Sequence, residues 1–330
     1  MQSLNAKVVR QVSVWLAQGE SVYLSTVIQT WGASPRPPGS LLAYNAIRNQ
    51  QIGSLSGGCI EADLISSFQN NTTSQTYPFI KEYGRKSGES ELYNLPCGGV
   101  MQLVVEALIP SSETANSYEI LSNDLSARSA ALRHVDMDSG VTSCININEL
   151  SQEGEISPVL LEEQSLIHKL SPEYRLLIVG IGEIAGYLAS FAEAAEFEVT
   201  VCDPREDFIE RSRELTKQFD VKHCLPDDLV NDHFSDKYCA IVALAHDPRV
   251  DDLALMAGLD SDAFYVGAMG SRLTTDKRLA RLREVGIEDD LLSKLHAPIG
   301  LSIQSKTPPE IAVSILAQII QSKHRAATAG

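Results

Sequence analysis

Ser56-Gly57-Gly58-Cys59-Ile60-Glu61 places a thiol directly after a glycine pair, between a strand-like run, Gln51 to Leu55, and a helical run that continues through about Phe68. Paired glycines let successive backbone N–H groups point at one anion, and the positive end of a helix dipole reinforces them. At such a helix start Cys59 is expected to ionise more readily than a free cysteine. Leu95-Pro96-Cys97-Gly98-Gly99 repeats the combination ahead of the run Val100 to Glu106. Upstream, the loop Thr30 to Gly39 is stiffened by Pro35, Pro37 and Pro38 and presents Arg36 at low entropic cost. Each feature has a plain structural reading by itself: a small buried cysteine, or a solvated arginine on a rigid turn. Together they point to a site that handles a soft metal, sulfur or an anion.

A second constellation lies in the other half. The apolar run Leu176 to Val179 leads into Gly180-Ile181-Gly182-Glu183-Ile184-Ala185, a helical run follows to Glu196, and the run Glu198 to Cys202 ends at Asp203. This is G-x-G-x-x-A in the strand–turn–helix–strand context of a dinucleotide fingerprint. Gly180 allows the tight turn, Gly182 the approach of a pyrophosphate, and Asp203 stands where a ribose-binding carboxylate belongs. The same pattern also serves as a βαβ unit whose nucleotide site is vestigial or differently used. Arg205 either faces a ribose 2′-phosphate or is solvated. Two more strand ends, Ala245-His246-Asp247-Pro248-Arg249 and Gly267 to Arg272, point to the same crevice, with His246, Ser271 and Arg272 as candidate ligand contacts. Lys306-Thr307-Pro308-Pro309-Glu310 reads as a capping box, with Thr307 at N-cap and Glu310 at N3, and needs no chemistry.

The elements that must position these residues fall into two textures. Residues 1–171 open with an amphipathic helix (Leu4, Val8, Val12, Trp15, Leu16) and continue with strands, which makes a smaller α+β domain; 110–171 is either strands completing its sheet or a linker. Residues 172–330 alternate short apolar strands with helices, the habit of a Rossmann-like, doubly wound parallel sheet. With 27 Lys and Arg against 43 Asp and Glu, the net charge of −16 repels a phosphate backbone, so nucleic acid is not an expected partner. The first twenty residues carry no signal-peptide pattern and no run is long enough to span a membrane, so a cytoplasmic protein is expected. The six cysteines form no C-x-x-C pair and are expected to be mostly reduced thiols.

The segments TWGASPRPPGS, GSLSGGCIEADL, PCGGVMQLVVE, VGIGEIAG with VCDPRE, AHDPRVD, VGAMGSR and KTPPEIAVSILAQII, in that order from about Val9 to Ile320, resemble the XdhC/CoxI family of xanthine dehydrogenase accessory proteins. The resemblance implies a chaperone that binds the molybdenum cofactor (molybdopterin), shields it while a cysteine desulfurase installs a terminal sulfur, and delivers it to a xanthine-dehydrogenase-type molybdoenzyme. It carries Arg36, Gly57, Gly58, Cys59, Glu61, Cys97 and Gly98 onto the functional surface, with Cys59 or Cys97 as the molybdenum contact. Two stretches depart from the family pattern. Leu301-Ser302-Ile303-Gln304-Ser305 replaces an L-D-I-G-A-type stretch, and Asn49 to Gln51 lacks the usual acidic-Gly turn.

The competing expectations are an NAD(P)-dependent oxidoreductase that uses His246 or a first-half cysteine, and a sulfur-transfer protein that carries a persulfide on Cys59. Against the former, the sequence offers no complete acid–base pair. A homodimer is the base-rate expectation for assembly.

Overall fold

The structure, a computed structural model, describes residues 2–32, 36–70, 77–84, 100–146, 157–212 and 219–329. It divides into two compact units, Met1–Glu173 and Tyr174–Gly330.

In the first unit, α1 (Gln2–Ala17) buries Val8, Val9, Val12, Trp15 and Leu16, the stripe that its helical spacing lays on one face. There follow β1 (Val22–Trp31), β2 (Leu41–Asn45), β3 (Gln50–Gly53), α2 (Cys59–Gln69), β4 (Phe79–Tyr83) and β5 (Val100–Leu108). The strands form one antiparallel sheet in the order β3-β2-β1-β5-β4. Every residue of β2 is buried because both faces are covered: Leu41 and Ala43 join the core under α1, while Leu42 and Tyr44 join Ile60, Leu64 and Phe68 of α2. Asn49, in the β2–β3 turn, takes φ +52, the left-handed position that the departing turn still requires and that Asn tolerates.

Residues 110–171 do not complete that sheet. They form α3 (Ser112–Ser126) and a separate antiparallel sheet of β6 (Ala131–Asp136), β7 (Thr142–Asn146), β8 (Val159–Glu162) and β9 (Ser165–Leu170), in the order β7-β6-β9-β8. The apolar pattern of this region is weak because its interior is partly polar: Arg133 and His168 sit opposite each other on β6 and β9, and both are fully buried. Burial, with the Arg133 charge adding to it, pushes the His168 imidazole down to about 3, so it is held neutral.

The second unit runs β10 (Arg175–Val179), α4 (Glu183–Ala194), β11 (Glu198–Cys202), α5 (Glu206–Arg211), β12 (Asp220–Lys222), α6 (Pro226–His233), β13 (Cys239–Ala243), α7 (Pro248–Leu259), β14 (Tyr265–Ala268), α8 (Arg272–Glu284), α9 (Asp289–Leu292), β15 (Leu295–His296) and α10 (Pro308–Ala329). All six strands pair in parallel, in the order β12-β11-β10-β13-β14-β15. Renumbered within the unit this is 3-2-1-4-5-6, the Rossmann order, with its switch point between β10 and β13. Gln318, a half-buried polar residue of α10, accepts hydrogen bonds from the Tyr265 hydroxyl and the Gly300 N–H. The glutamate half of the capping box is present: Glu310 accepts from the N–H groups of Lys306 and Thr307. Gln304, where the family pattern has glycine, takes φ +61, a conformation glycine adopts without strain. Among the described residues no helix is long and apolar enough to cross a membrane.

Candidate functional site

In the first unit β1 and β3 run in the same direction on either side of β2, and β5 is antiparallel to β1 with Val100 opposite Trp31. The end of β1 and the start of β5 therefore meet at one sheet end, from which the loop bearing Arg36 departs. β3 points the same way but stops earlier: Gly53 is in register with Leu42 and through it with Ser25, six residues before Trp31. The turn Ser54–Gly58 leaves β3 beside the start of β2, where Ser54 N donates to Leu41 O (3.1 Å) and where the loop after Arg36 enters the sheet. Cys97 and Gly98 precede β5 but lie outside the described residues.

Arg36 is half-buried, and the loop after it is anchored from three sides. The Asn5 side chain of α1 donates to Gly39 O (2.6 Å) and accepts from Leu41 N (3.1 Å). Gly39 N donates to Val27 O (2.7 Å), and the Ser40 hydroxyl donates to Pro37 O (2.8 Å). Sequence reading passed over Asn5, a buried polar residue on an otherwise apolar helix face, and that contrast was the available signal.

The glycine pair behaves as a nest, but the anion it holds is internal. Gly57 and Gly58 take φ +87 and +138, so the N–H groups of Leu55, Ser56, Gly57 and Gly58 converge on the Glu61 carboxylate at 2.8, 2.8, 3.1 and 2.9 Å. The hydroxyls of Ser54 and Ser56 donate to it as well. Burial alone would raise this carboxyl, but the hydrogen bonds from Ser56 and Leu55 outweigh it and bring it down to about 2. The expectation that these N–H groups meet an external anion is corrected: Glu61 fills the nest and is itself nearly inaccessible. The turn is thereby a rigid mount whose next residue, Cys59, is the first of α2.

In the second unit a cavity of about 550 Å³ opens at the switch point, lined among others by Ile181, Gly182, Ala185, Arg205, Ala245 and His246. Gly180 must be glycine: its φ is +100, and a Cβ would stand 2.4 Å from the backbone of Ala245. At Gly182 an added Cβ meets nothing within 4 Å, so the head of α4 is open to the cavity. His246, exposed and at φ +55, lines the same space. Ser271 and Arg272 are not among its lining residues. The Ser271 hydroxyl caps α8 by accepting from Thr274 N (3.1 Å), and Arg272 is exposed at the first turn of that helix.

Asp203 is also corrected. It stands at the end of β11 but is fully buried, ion-paired to Arg205 at 2.7 Å and bonded to Ile181 N at 3.0 Å. It organises the glycine loop from behind rather than facing a ligand, so a ribose contact of the usual kind does not fit. Asp251 and Arg278, which sequence reading missed, play a comparable part. Asp251 accepts from Ala245 N (3.0 Å) and pairs with Arg278 (3.1 Å), and Arg278 donates to Met269 O (3.0 Å). This buried pair ties the loop after β13 to the loop after β14. Asp247 caps α7 by accepting from Arg249 N, which leaves His246 as the residue of that motif without a structural duty among the hydrogen bonds described. Among the described residues no group of three or more His, Cys, Asp or Glu could hold a metal ion.

A mixed α/β unit with a Rossmann sheet, joined to an α+β unit whose cysteine turn follows the third strand of its sheet, defines the class of protein. Residues 176–319 match the XdhC Rossmann domain and residues 15–84 match the XdhC and CoxI family. The chain belongs to the XdhC/CoxI family. It is 24% identical over 334 residues to a probable xanthine dehydrogenase subunit of Bacillus subtilis, covering 94% of this chain and 96% of that protein. It is 24% identical over 314 residues to the molybdenum cofactor insertion chaperone PaoD of Escherichia coli, covering 92% and 84% respectively. The crystal structure of a xanthine dehydrogenase from Bacillus halodurans shares the fold with a TM-score of 0.70 at 22% identity, over 96% of each chain.

Proposed function

We propose that this chain is an accessory protein that binds the molybdenum cofactor and hands it to a xanthine-dehydrogenase-type molybdoenzyme in the cytoplasm. The reading is carried by the Arg36 loop and the Cys59 turn, both of which adjoin the start of β2, in a chain similar to an insertion chaperone over 92% of its length. The cargo is a pterin dithiolene with a phosphate and an oxo-molybdenum head. An arginine on a braced loop suits the phosphate, and a cysteine at the start of a helix suits the soft metal. Because Glu61 already fills the glycine nest, the phosphate falls to Arg36 rather than to Gly57 and Gly58. A cysteine desulfurase is the partner that would supply the terminal sulfur while the cofactor is held, and a homodimer is the proposed assembly.

The test is reconstitution of a cofactor-free xanthine-dehydrogenase-type enzyme with free cofactor, with and without this protein. The active fraction is expected to rise with the protein present and to fall back to the unassisted level with Cys59→Ser. An active fraction indifferent to the wild-type protein would contradict the proposal.

A further inference from the structure

The fold of the second unit implies a dinucleotide whose ribose 2′-hydroxyl donates to a carboxylate at the end of the second strand. Asp203 occupies that place, but each of its oxygens already accepts two hydrogen bonds. Oδ1 takes the backbone N–H and Nε–H of Arg205 (2.9 and 2.8 Å), and Oδ2 takes Nη2–H of Arg205 and the Ile181 N–H (2.7 and 3.0 Å). A carboxylate offers about four lone-pair positions, so Asp203 has no acceptor to spare.

Arg205 is held as firmly as the group it holds. Its Nη1–H donates to Ala245 O (3.3 Å), and its guanidinium lies 3.8 Å from the ring centre of Phe208. Both Arg205 and Phe208 line the cavity, so the guanidinium stands on the cavity side of a carboxylate that has no exposed surface. A ribose hydroxyl could reach Asp203 only by displacing one arm of this fork. That exchanges a charge-assisted bond inside a buried ion pair for one to a neutral hydroxyl, a net loss.

We propose that Arg205 is a specificity-determining residue that closes this Rossmann cavity to NAD(H) by saturating Asp203. The second unit then recognises its ligand through the glycine-loop backbone and His246, without the ribose contact that defines an NAD site. This inference does not depend on what the first unit binds.

The test titrates NADH, followed by its fluorescence, against the full chain as wild type, Arg205→Lys and Arg205→Ala. The wild type is expected to show no saturable binding below millimolar concentration. Arg205→Ala is expected to bind about tenfold more tightly or better, in line with one recovered hydrogen bond to a charged acceptor. Arg205→Lys meets the carboxylate with one ammonium instead of a fork and is expected to gain less. Adding Asp203→Asn to Arg205→Ala should remove the gain, which assigns it to the carboxylate. Micromolar NADH binding by the wild type, or no gain in a folded Arg205→Ala or Arg205→Lys, overturns the proposal. Circular dichroism reports folding of each variant, and the wild-type titration decides by itself if both substitutions unfold the chain.

Discussion

Arg133→Ala is expected to destabilise the first unit by about 3–5 kcal/mol, the cost of stranding the other member of a buried ion pair. Arg133 is fully buried, and its Nη1 donates to both oxygens of Glu106 (2.9 and 2.8 Å) and to the Tyr118 hydroxyl (3.2 Å), while Nη2 donates to Thr26 Oγ1 (2.9 Å). Burial by itself would favour loss of the proton, but Glu106 and Tyr118 outweigh it and raise the pKa. The bridge joins β6 of the second sheet to β5 of the first, and the start of β5 lies opposite the end of β1, from which the Arg36 loop departs. Removing the guanidinium leaves Glu106 buried without its counter-charge. Urea unfolding followed by tryptophan fluorescence measures this directly, because both tryptophans, Trp15 and Trp31, lie in the first unit. Arg133→Met combined with Glu106→Leu removes both charges at similar volume and is expected to recover most of the loss. A single substitution as mild as the pair would contradict this account.

Glu61→Ala is expected to cost about 2–4 kcal/mol, since it deprives four converging N–H groups of their acceptor and only those near the surface can turn to water. Leu55 is buried, so its N–H is the one left stranded. The pH dependence has a definite sign. In the folded chain the carboxyl is held at about 2, below its ordinary 4.5. Its contribution is therefore complete above about 4.5 and is lost as pH falls from there through about 2. Wild-type stability should fall across that window more steeply than that of Glu61→Gln, as measured by urea unfolding at a series of pH values; parallel curves would contradict the role given to Glu61. Because the carboxylate shapes the turn that leads into Cys59, the same substitutions are expected to weaken cofactor binding.

The Rossmann unit was legible because its spacing is local. The glycine turn, the strand that follows it and the helix caps all show within short windows, and β11 runs over the residues read from the sequence. The role of Glu61 was half legible. It is the third residue of α2, the place from which a glutamate reaches back to the helix start, and that spacing could have named the occupant of the nest. Arg133 and His168 could not be read, since a charged residue inside a strand looks solvent-facing until its partner, Glu106, arrives from a distant strand. Asp203 was placed correctly by its distance from the glycine turn, but its availability was decided by Arg205, two residues on, whose fork turns back onto it.

Anaerobic equilibrium binding of the purified chain to molybdenum cofactor, with NAD(H) titrated in parallel, separates a cofactor carrier from a nucleotide-binding protein. Micromolar or tighter binding of the pterin cofactor is expected, weakened about tenfold or more by Arg36→Ala or Cys59→Ala, consistent with loss of one charge-assisted or metal contact. Tight nucleotide binding with no binding of the pterin cofactor would contradict the carrier reading and move the functional centre to the glycine turn at Gly180.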